Sequence, residues 1–298
     1  MKTFLKIASV LLVLVLLVLG VYCFYLPSYL LSDREITLAQ PSGDGSMTVM
    51  STNVRYIAPE DLFTKSWFYR ADLIAEDIEG VHPDIIGFQE ATFVHYGYLQ
   101  KIMKGYDSEM AYRDNFVLSE GCPIFWRTDR FEKLDSGSFW LSETPEVMSK
   151  DWGSEHYRIC VYVRLRDLET GKEFAVFNTH LDHTSDLARI NGIKVVLDKI
   201  KEFGNIPAYL MGDLNAKEDS ETIQSTKDSF DDAKLISPIT EDTATFHGWG
   251  EAQDPRRIDY IMISKGDATV YEYHVVNNLH GDIYSSDHSS IYIKTKLN

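Results

Sequence analysis

Cysteine is nearly missing from this sequence. The chain has three, at positions 23, 122 and 160, and none forms a CxxC pair or a cysteine–histidine spacing that would clasp zinc. A disulfide scaffold and a structural zinc site thereby gain little support as organising features. Cys122 and Cys160 sit in strand-like surroundings and read as reduced, buried thiols. Positive charge is also short: 29 Lys and Arg stand against 45 Asp and Glu, a formal net charge of -16. Such a balance speaks against broad electrostatic attachment to nucleic acid or anionic lipid, whose phosphates it repels at long range. A bound divalent cation would alter the local field, and part of the acidity belongs to the candidate site below. Internal repeats are lacking, and so is any low-complexity tract beyond the N-terminal run. The remainder, 44% hydrophobic and 25% charged, has the composition of a globular body with a substantial core.

The N-terminus is the one long apolar stretch. Lys2 and Lys6 precede an uncharged run from Ile7 to Ser32, and Val10 to Leu19 is all Leu and Val. At about 1.5 Å per residue, twenty-odd residues cross a bilayer core of roughly 30 Å. The expectation is an uncleaved transmembrane signal-anchor over residues 1–32, with Tyr22, Tyr25 and Tyr29 at the far interface. A cleaved signal peptide followed by secretion is the alternative, but Val21-Tyr22-Cys23-Phe24-Tyr25 is bulky where a cut needs small residues. Lysines before the span would keep the N-terminus cytoplasmic and put the rest outside: a single-pass protein of the cell membrane. Residues 33–46, with Pro41, Gly43 and Gly45, read as a linker, and 47–298 as the catalytic domain.

From Met47 onward, short strands alternate with helices. Asp84-Ile85-Ile86-Gly87-Phe88, Phe174-Ala175-Val176-Phe177 and Pro207-Ala208-Tyr209-Leu210-Met211 are brief apolar runs that suggest buried strands. Further strands are expected over 258–263, 268–275 and 290–293. Trp67, Ala71, Ile74 and Ile78 recur at helical spacing, with Gly80 as the stop. A second helix carries Leu187, Ile190, Ile193, Val196, Leu197, Ile200 and Phe203 on one side; Thr184 or Ser185 caps it and Gly204 ends it. Residues 122–166 look hairpin-rich.

Polar residues gather at the ends of these runs. Asn53 follows the first strand and Glu90 the second. His180 ends Phe177-Asn178-Thr179-His180, and Asp213 and Asn215 stand in Met211-Gly212-Asp213-Leu214-Asn215. Asp259 opens a strand, and Asp287-His288 precede the last one. Strand ends are where a sheet brings distant parts of a chain into one cleft. Carboxylates, two imidazoles and two amides in one cleft suit metal-assisted hydrolysis of a phosphate ester. Glu90 is a good hard-cation ligand with Asn53 and Asp287 beside it. Gly212 lets the backbone turn tightly, so that Asp213 can polarise water and Asn215, two residues on, can donate to a phosphoryl oxygen. Asp259 would hold His288 in one tautomer. Each of these residues alone is more often a turn former, a solvated side chain or a core histidine.

In this order the motifs resemble the endonuclease/exonuclease/phosphatase (DNase I-like) superfamily, closest to a bacterial subgroup near the CCR4-type branch. The matching runs are Met50-Ser51-Thr52-Asn53, Phe88-Gln89-Glu90, Asn178-Thr179-His180-Leu181, Gly212-Asp213-Leu214-Asn215, Arg257-Ile258-Asp259-Tyr260 and Ser286-Asp287-His288. The resemblance implies an α+β fold, a four-layer α/β/β/α sandwich of two packed, mostly antiparallel β-sheets flanked by helices. It implies Mg²⁺, with Mn²⁺ as the substitute, held by Glu90, Asn53 and Asp287. His180, Asp213, Asn215, Asp259 and His288 would be the catalytic set. The function expected is a membrane-anchored, monomeric phosphoesterase, first a nuclease-type phosphodiesterase, with a 3'-5' exonuclease as one form of it. A small-molecule, sugar or inositol phosphatase and a sphingomyelinase-like lipid phosphodiesterase are the enzymatic alternatives, and a tethered binding module the non-enzymatic one. A nucleic-acid strand would need a cationic and aromatic track, for which Arg55, Arg127, Arg158, Phe246 and Trp249 are the candidates.

Overall fold

A strand, a helix and a second strand parallel to the first occur twice in this chain, and the two units face each other. In the computed structural model, β1 (Met47–Asn53) runs through α2 (Trp67–Val81) into β2 (Ile85–Gln89), and β7 (Glu173–His180) runs through α4 (Asp186–Glu202) into β8 (Ala208–Asp213). The structure describes the backbone of residues 2–31 and 33–298 and the side chains of 4–20 and 33–298.

Each parallel pair sits inside a six-stranded sheet whose other neighbours are antiparallel. In the first sheet β1 and β2 are flanked by β14 (Ile291–Leu297) and β11 (Ala268–Val275) on one side and by β4 (Ile124–Arg127) and β3 (Tyr106–Glu109) on the other. In the second, β6 (Ile159–Asp167) and β5 (Phe131–Trp140) extend from β7, while β10 (Asp259–Ser264) and β9 (Phe230–Asp232) extend from β8. The short helices α3 (Phe93–Ile102), α5 (Glu221–Thr226) and α6 (Ala233–Ile236) and the hairpin of β12 (Leu279–His280) and β13 (Ile283–Tyr284) complete the chain after α1 (Lys2–Leu31).

Apolar side chains sort into three layers, which is why the domain is a sandwich. Val49, Ile85, Trp126, Val161, Val176, Met211, Ile261 and Ile293 fill the space between the sheets. Ile193, Val196 and Ile200 of α4 pack on Phe177, Leu210 and Met262. Ile74 and Ile78 of α2 pack on Met50, Ile86 and Phe88. Each such side chain contributes roughly 1.5–3 kcal/mol on burial. The expected α/β/β/α sandwich is therefore the fold observed. Gly80 does not end α2, however: the helix runs to Val81, and His82 at φ 50 forms the left-handed cap. Ser185 caps α4 by accepting from the Ala188 N–H.

The N-terminal expectation is corrected. Among the described residues no helix is long and apolar enough to cross a membrane. The single-pass anchor and the extracytoplasmic placement that depended on it are not supported. Residues 1 and 32 of that expected span lie outside the described residues, as do the side chains of Tyr22, Tyr25 and Tyr29. Within 33–46, Ile36 is buried in the α2–α3 layer, and its N–H donates to Ile102 O at 2.8 Å.

Candidate active site

The register of the two parallel pairs decides where the polar residues meet. Asn53 lies opposite Gln89 in one sheet and His180 opposite Asp213 in the other, so both pairs end at the same edge of the sandwich. Antiparallel β10 begins there, with Asp259 opposite Asp213. The loop into β14 delivers Asp287 and His288 to the same edge, because β14 runs antiparallel to β1.

Backbone strain marks this edge. Glu90 has φ 62, Asn215 φ 47 and Arg55 φ 55, left-handed values that non-glycine residues adopt at a cost. Gly212 has φ 139, and a Cβ on it would stand 1.9 Å from Thr179 O. Only glycine lets β8 pass β7 this closely while Asp213 turns into the cleft.

The side chains converge. Asn53 Nδ2 donates to Glu90 Oε1 at 3.0 Å and to Asp213 Oδ2 at 3.1 Å. Tyr56 N donates to Glu90 Oε2 at 2.8 Å. Asp213 Oδ2 lies 3.5 Å from His180 Nε2 and 3.8 Å from His288 Nε2. Asp259 Oδ2 meets His288 Nδ1 at 2.9 Å, and Thr245 Oγ1 fixes the start of β10 by accepting from the Asp259 N–H. Arg55 donates to Asp61 at 2.8 Å and stands 3.7 Å from Asp287. Asn215 N donates to Asp213 Oδ1, and its Nδ2 donates to Leu181 O. An amide nitrogen carries two hydrogens, so the second remains for the cleft.

Charge is set by these neighbours. Burial opposes ionisation of Glu90, but His288, the Tyr56 N–H, Asn53 and Arg55 outweigh it and hold the carboxyl below its ordinary value. Burial and then the Asp259 charge push Asp213 up to about 7, against the pull of His288. Asp287 is raised, by burial first and by the Glu90 charge against the pull of His288. Burial works against charging His288, yet Asp259, Asp213 and Asp287 carry it up to about 10. His180 is driven well below its ordinary value by burial and by Arg158 and Arg113, so it is neutral.

Glu90, His180, Asp213, Asn215, Asp287 and His288 line one cleft of about 520 Å³, with Asn53 and Asp259 behind them. Buried acids that push one another toward protonation form a site that a cation relieves. Glu90, Asp213 and Asp287 present hard oxygens of the kind Mg²⁺ takes, and donor atoms of Glu90, His180 and Asp213 lie within 4.8 Å of one another. The donor chemistry therefore fits a divalent metal. The Asn53 Oδ1 accepts from the Arg55 N–H at 2.9 Å, and its amide nitrogen bridges Glu90 and Asp213.

Of the expected substrate residues, Arg55, Arg158 and Phe246 line the cleft, and the Phe246 ring lies 5.0 Å from that of His288. Arg127 and Trp249 do not. Arg127 closes β4 at the opposite end of the sheet, paired with Asp84 at 2.9 Å and Asp129 at 2.8 Å. Trp249 covers the Arg70 guanidinium at 5.2 Å. Arg113, Glu120, Glu155 and His156 also line the cleft and were not singled out from the sequence, because they lie on irregular loops with no hydrophobic period to place them. Arg70, too, was missed. It is fully buried in α2 and donates to Val54 O, Arg55 O, Lys65 O and Ser285 O, tying the Asn53 turn to the loop that carries Asp287.

The sequence pattern of the endonuclease/exonuclease/phosphatase family matches residues 50–288, from the first strand to the last histidine of this cleft. The chain belongs to that family. Among solved structures it is similar to an endonuclease/exonuclease/phosphatase from Bacteroides vulgatus, 29% identical, with 85% of this chain and 99% of that one covered at a TM-score of 0.80. It is also similar to a mannosyl-6-phosphatase from Bacteroides thetaiotaomicron VPI-5482, 31% identical, with 84% and 99% covered and a TM-score of 0.77. Nocturnin of Drosophila melanogaster is 29% identical over 174 residues, which are 53% of this chain and 25% of that protein. Protein angel of the same fly is 26% identical over 170 residues, 46% of its length. The chain thus spans a quarter to about half of these curated relatives. The endonuclease/exonuclease/phosphatase family is one of hydrolytic phosphoesterases, and acids and imidazoles in this cleft are close enough together to hold a divalent metal.

Proposed function

We propose that this family member hydrolyses small phosphate esters with Mg²⁺, or Mn²⁺ in its place. One observation carries the choice of substrate size. The residues expected to form a track for a nucleic-acid strand are only partly assembled: Arg55, Arg158 and Phe246 line the cleft, but Arg127 sits at the other end of the sheet and Trp249 covers Arg70. The cleft wall also bears Glu120 and Glu155, and its Arg113 and Arg158 are met by Glu120 and Asp182, which leaves little free positive charge to track a phosphate backbone. The similarity to a Bacteroides mannosyl-6-phosphatase supports the same reading.

Glu90 and Asp287 would hold the metal, with Asn53 orienting Glu90. A metal held there would supply charge neutralisation to the phosphoryl group and its departing oxygen. Asp213, with a proton affinity near neutrality, takes the proton of the attacking water as the new P–O bond forms and the ester P–O bond breaks. His288, kept protonated by Asp259, donates its Nε2–H to a phosphoryl oxygen, where negative charge grows. Neutral His180 and the free Asn215 N–H complete the hydrogen bonds to that oxygen shell.

A nuclease-type reading keeps some support from one wall. Tyr56 lies under Arg55 at 4.6 Å and Phe246 under Arg256 at 4.9 Å, so a cation and an aromatic ring stand paired at two places on the cleft wall. A panel on the full-length chain with Mg²⁺ separates the readings: hexose phosphates, an inositol phosphate, sphingomyelin, single-stranded RNA and DNA, and a duplex. Turnover of the phosphorylated sugars with no cleavage of strands is expected. Cleavage of oligonucleotides alone would replace the small-ester reading with the nuclease one.

A further inference from the structure

One wall of the cleft carries polar side chains that hydrolysis leaves without a task. Glu155 and His156 lie on the loop before β6, and His183 lies three residues past His180 on the turn into α4. Their donor atoms fall within 4.8 Å of one another. The His156 and His183 rings stack at 5.6 Å and 22°, and His183 Nε2 stands 3.4 Å from Glu155 Oε2. Beneath them Arg158 is 5% exposed. Its Nη2 bonds His183 Nδ1 at 3.1 Å, while its Nη1 is buried with no hydrogen-bond partner among the described residues. A buried guanidinium N–H left unpaired beside a cleft points to a ligand that completes it.

The chemistry of the cluster narrows that ligand. A second metal ion is disfavoured. Arginine has only hydrogens to give, so His183 Nδ1 must accept, and the proton of the neutral ring then sits on Nε2, the atom a metal would need. A second anion is disfavoured as well: the charges of Arg113 and Arg158 face those of Glu120, Asp182 and Glu155, with Arg113 2.7 Å from Glu120 and Arg158 3.6 Å from Asp182. No positive excess remains to hold a second phosphate. Neutral hydroxyl groups are what such a wall suits. A hydroxyl both donates and accepts, and here a carboxylate, two imidazoles and a spare guanidinium N–H stand side by side. The three outer side chains are 40–55% exposed, so they reach solvent and substrate alike.

We propose that Glu155, His156 and His183, backed by Arg158, form a subsite for the hydroxyl groups of the departing alcohol, which makes a phosphorylated sugar or polyol the substrate class. This rests on the small-ester reading above. The subsite and the hydrolytic centre line the same cleft, so one small molecule can occupy both.

Glu155→Ala and the double variant His156→Ala/His183→Ala test it in the full-length chain, with thermal melts to verify folding. Mannose 6-phosphate, glucose 6-phosphate and 4-nitrophenyl phosphate are the probes. Each variant is expected to lower the kcat/KM ratio of hexose phosphate over 4-nitrophenyl phosphate by about tenfold, through KM, in line with one or two lost hydrogen bonds. Competitive inhibition by the free hexose is expected to weaken by a similar factor, a readout that involves no turnover. An unchanged ratio and unchanged inhibition in folded variants would overturn the subsite while leaving the small-ester reading intact. A wild-type chain that cleaves oligonucleotides and no hexose phosphate would overturn both.

Discussion

Asp259 and His288 are 29 residues apart in sequence and 2.9 Å apart in space, carboxylate Oδ2 against imidazole Nδ1. The contact fixes the ring so that Nε2 faces the cleft, and it keeps the ring charged up to about pH 10. Activity is therefore expected to rise as Asp213 deprotonates through about 7 and to fall as His288 loses its proton near 10. Asp259 raises both groups, so Asp259→Asn should move both limbs of the pH–rate profile to lower pH and cut turnover at pH 7 by about 10- to 100-fold. Limbs that stay in place would dissociate Asp259 from the chemistry. The sign for stability follows from the same shift. A histidine whose folded value is raised stabilises fully below its unfolded value of 6.5 and loses that contribution as pH rises through about 10.

Gly212→Ala probes the crossing of β8 over β7. The new methyl would stand 1.9 Å from Thr179 O, at a backbone φ of 139 that alanine avoids. A loss of about 3 kcal/mol or more in urea unfolding is expected, together with lost activity, because Asp213 is the next residue. A variant of wild-type stability would mean that the strands can separate there without cost.

Arg70→Met removes the donor that serves the Val54, Arg55, Lys65 and Ser285 carbonyls. A buried carbonyl left unpaired costs about 1–3 kcal/mol, so this substitution should be among the most destabilising outside the apolar core, at roughly 3 kcal/mol or above by denaturant titration. Arg70→Lys keeps the charge but cannot fork across several acceptors, and an intermediate loss is expected. A loss below about 1 kcal/mol in Arg70→Met would show that water replaces the guanidinium.

What the sequence made legible follows a physical rule. Asn53, Glu90, His180, Asp213 and Asp259 sit at strand ends, where an apolar run of fixed period stops and the next polar residue has one place to go. The sandwich was implied by the family resemblance that these motifs carry. Arg127 also ends a strand, but the opposite edge receives it, since β4 is antiparallel to β2; residue type does not reveal strand direction. Trp249 has φ 62 in an irregular turn, and its packing on Arg70 depends on contacts far apart in sequence. His156 and Arg113 lie on loops without period, so nothing local placed them in the cleft. The apolar N-terminus misled because composition alone suggested a span that the described helix does not support.

Arg127→Gln separates the two ends of the sheet. It leaves Asp84 buried with a weaker partner, because Arg127 and Arg130 share that carboxylate. A destabilisation of about 2 kcal/mol is expected, with KM and kcat unaltered at temperatures where the chain stays folded. A rise in KM without loss of stability would return Arg127 to the substrate path and contradict its position.

Glu90→Gln tests the metal directly, without substrate. Any ligand that binds only the folded state raises stability by RT ln(1 + [L]/Kd), about 2.7 kcal/mol at a hundredfold excess over Kd. Adding Mg²⁺ or Mn²⁺ to the chelated wild-type chain should therefore raise its melting temperature in a concentration-dependent way. Glu90→Gln keeps the size of the side chain and one of the two bonds accepted from Asn53 Nδ2 and the Tyr56 N–H, but gives up the charge that the cation requires. Its melting temperature should not respond to the metal at concentrations that saturate the wild type, and its turnover should fall with that lost response. An equal metal-induced shift in both proteins would place the cation on other residues, with Asp213 and Asp287 next to be replaced.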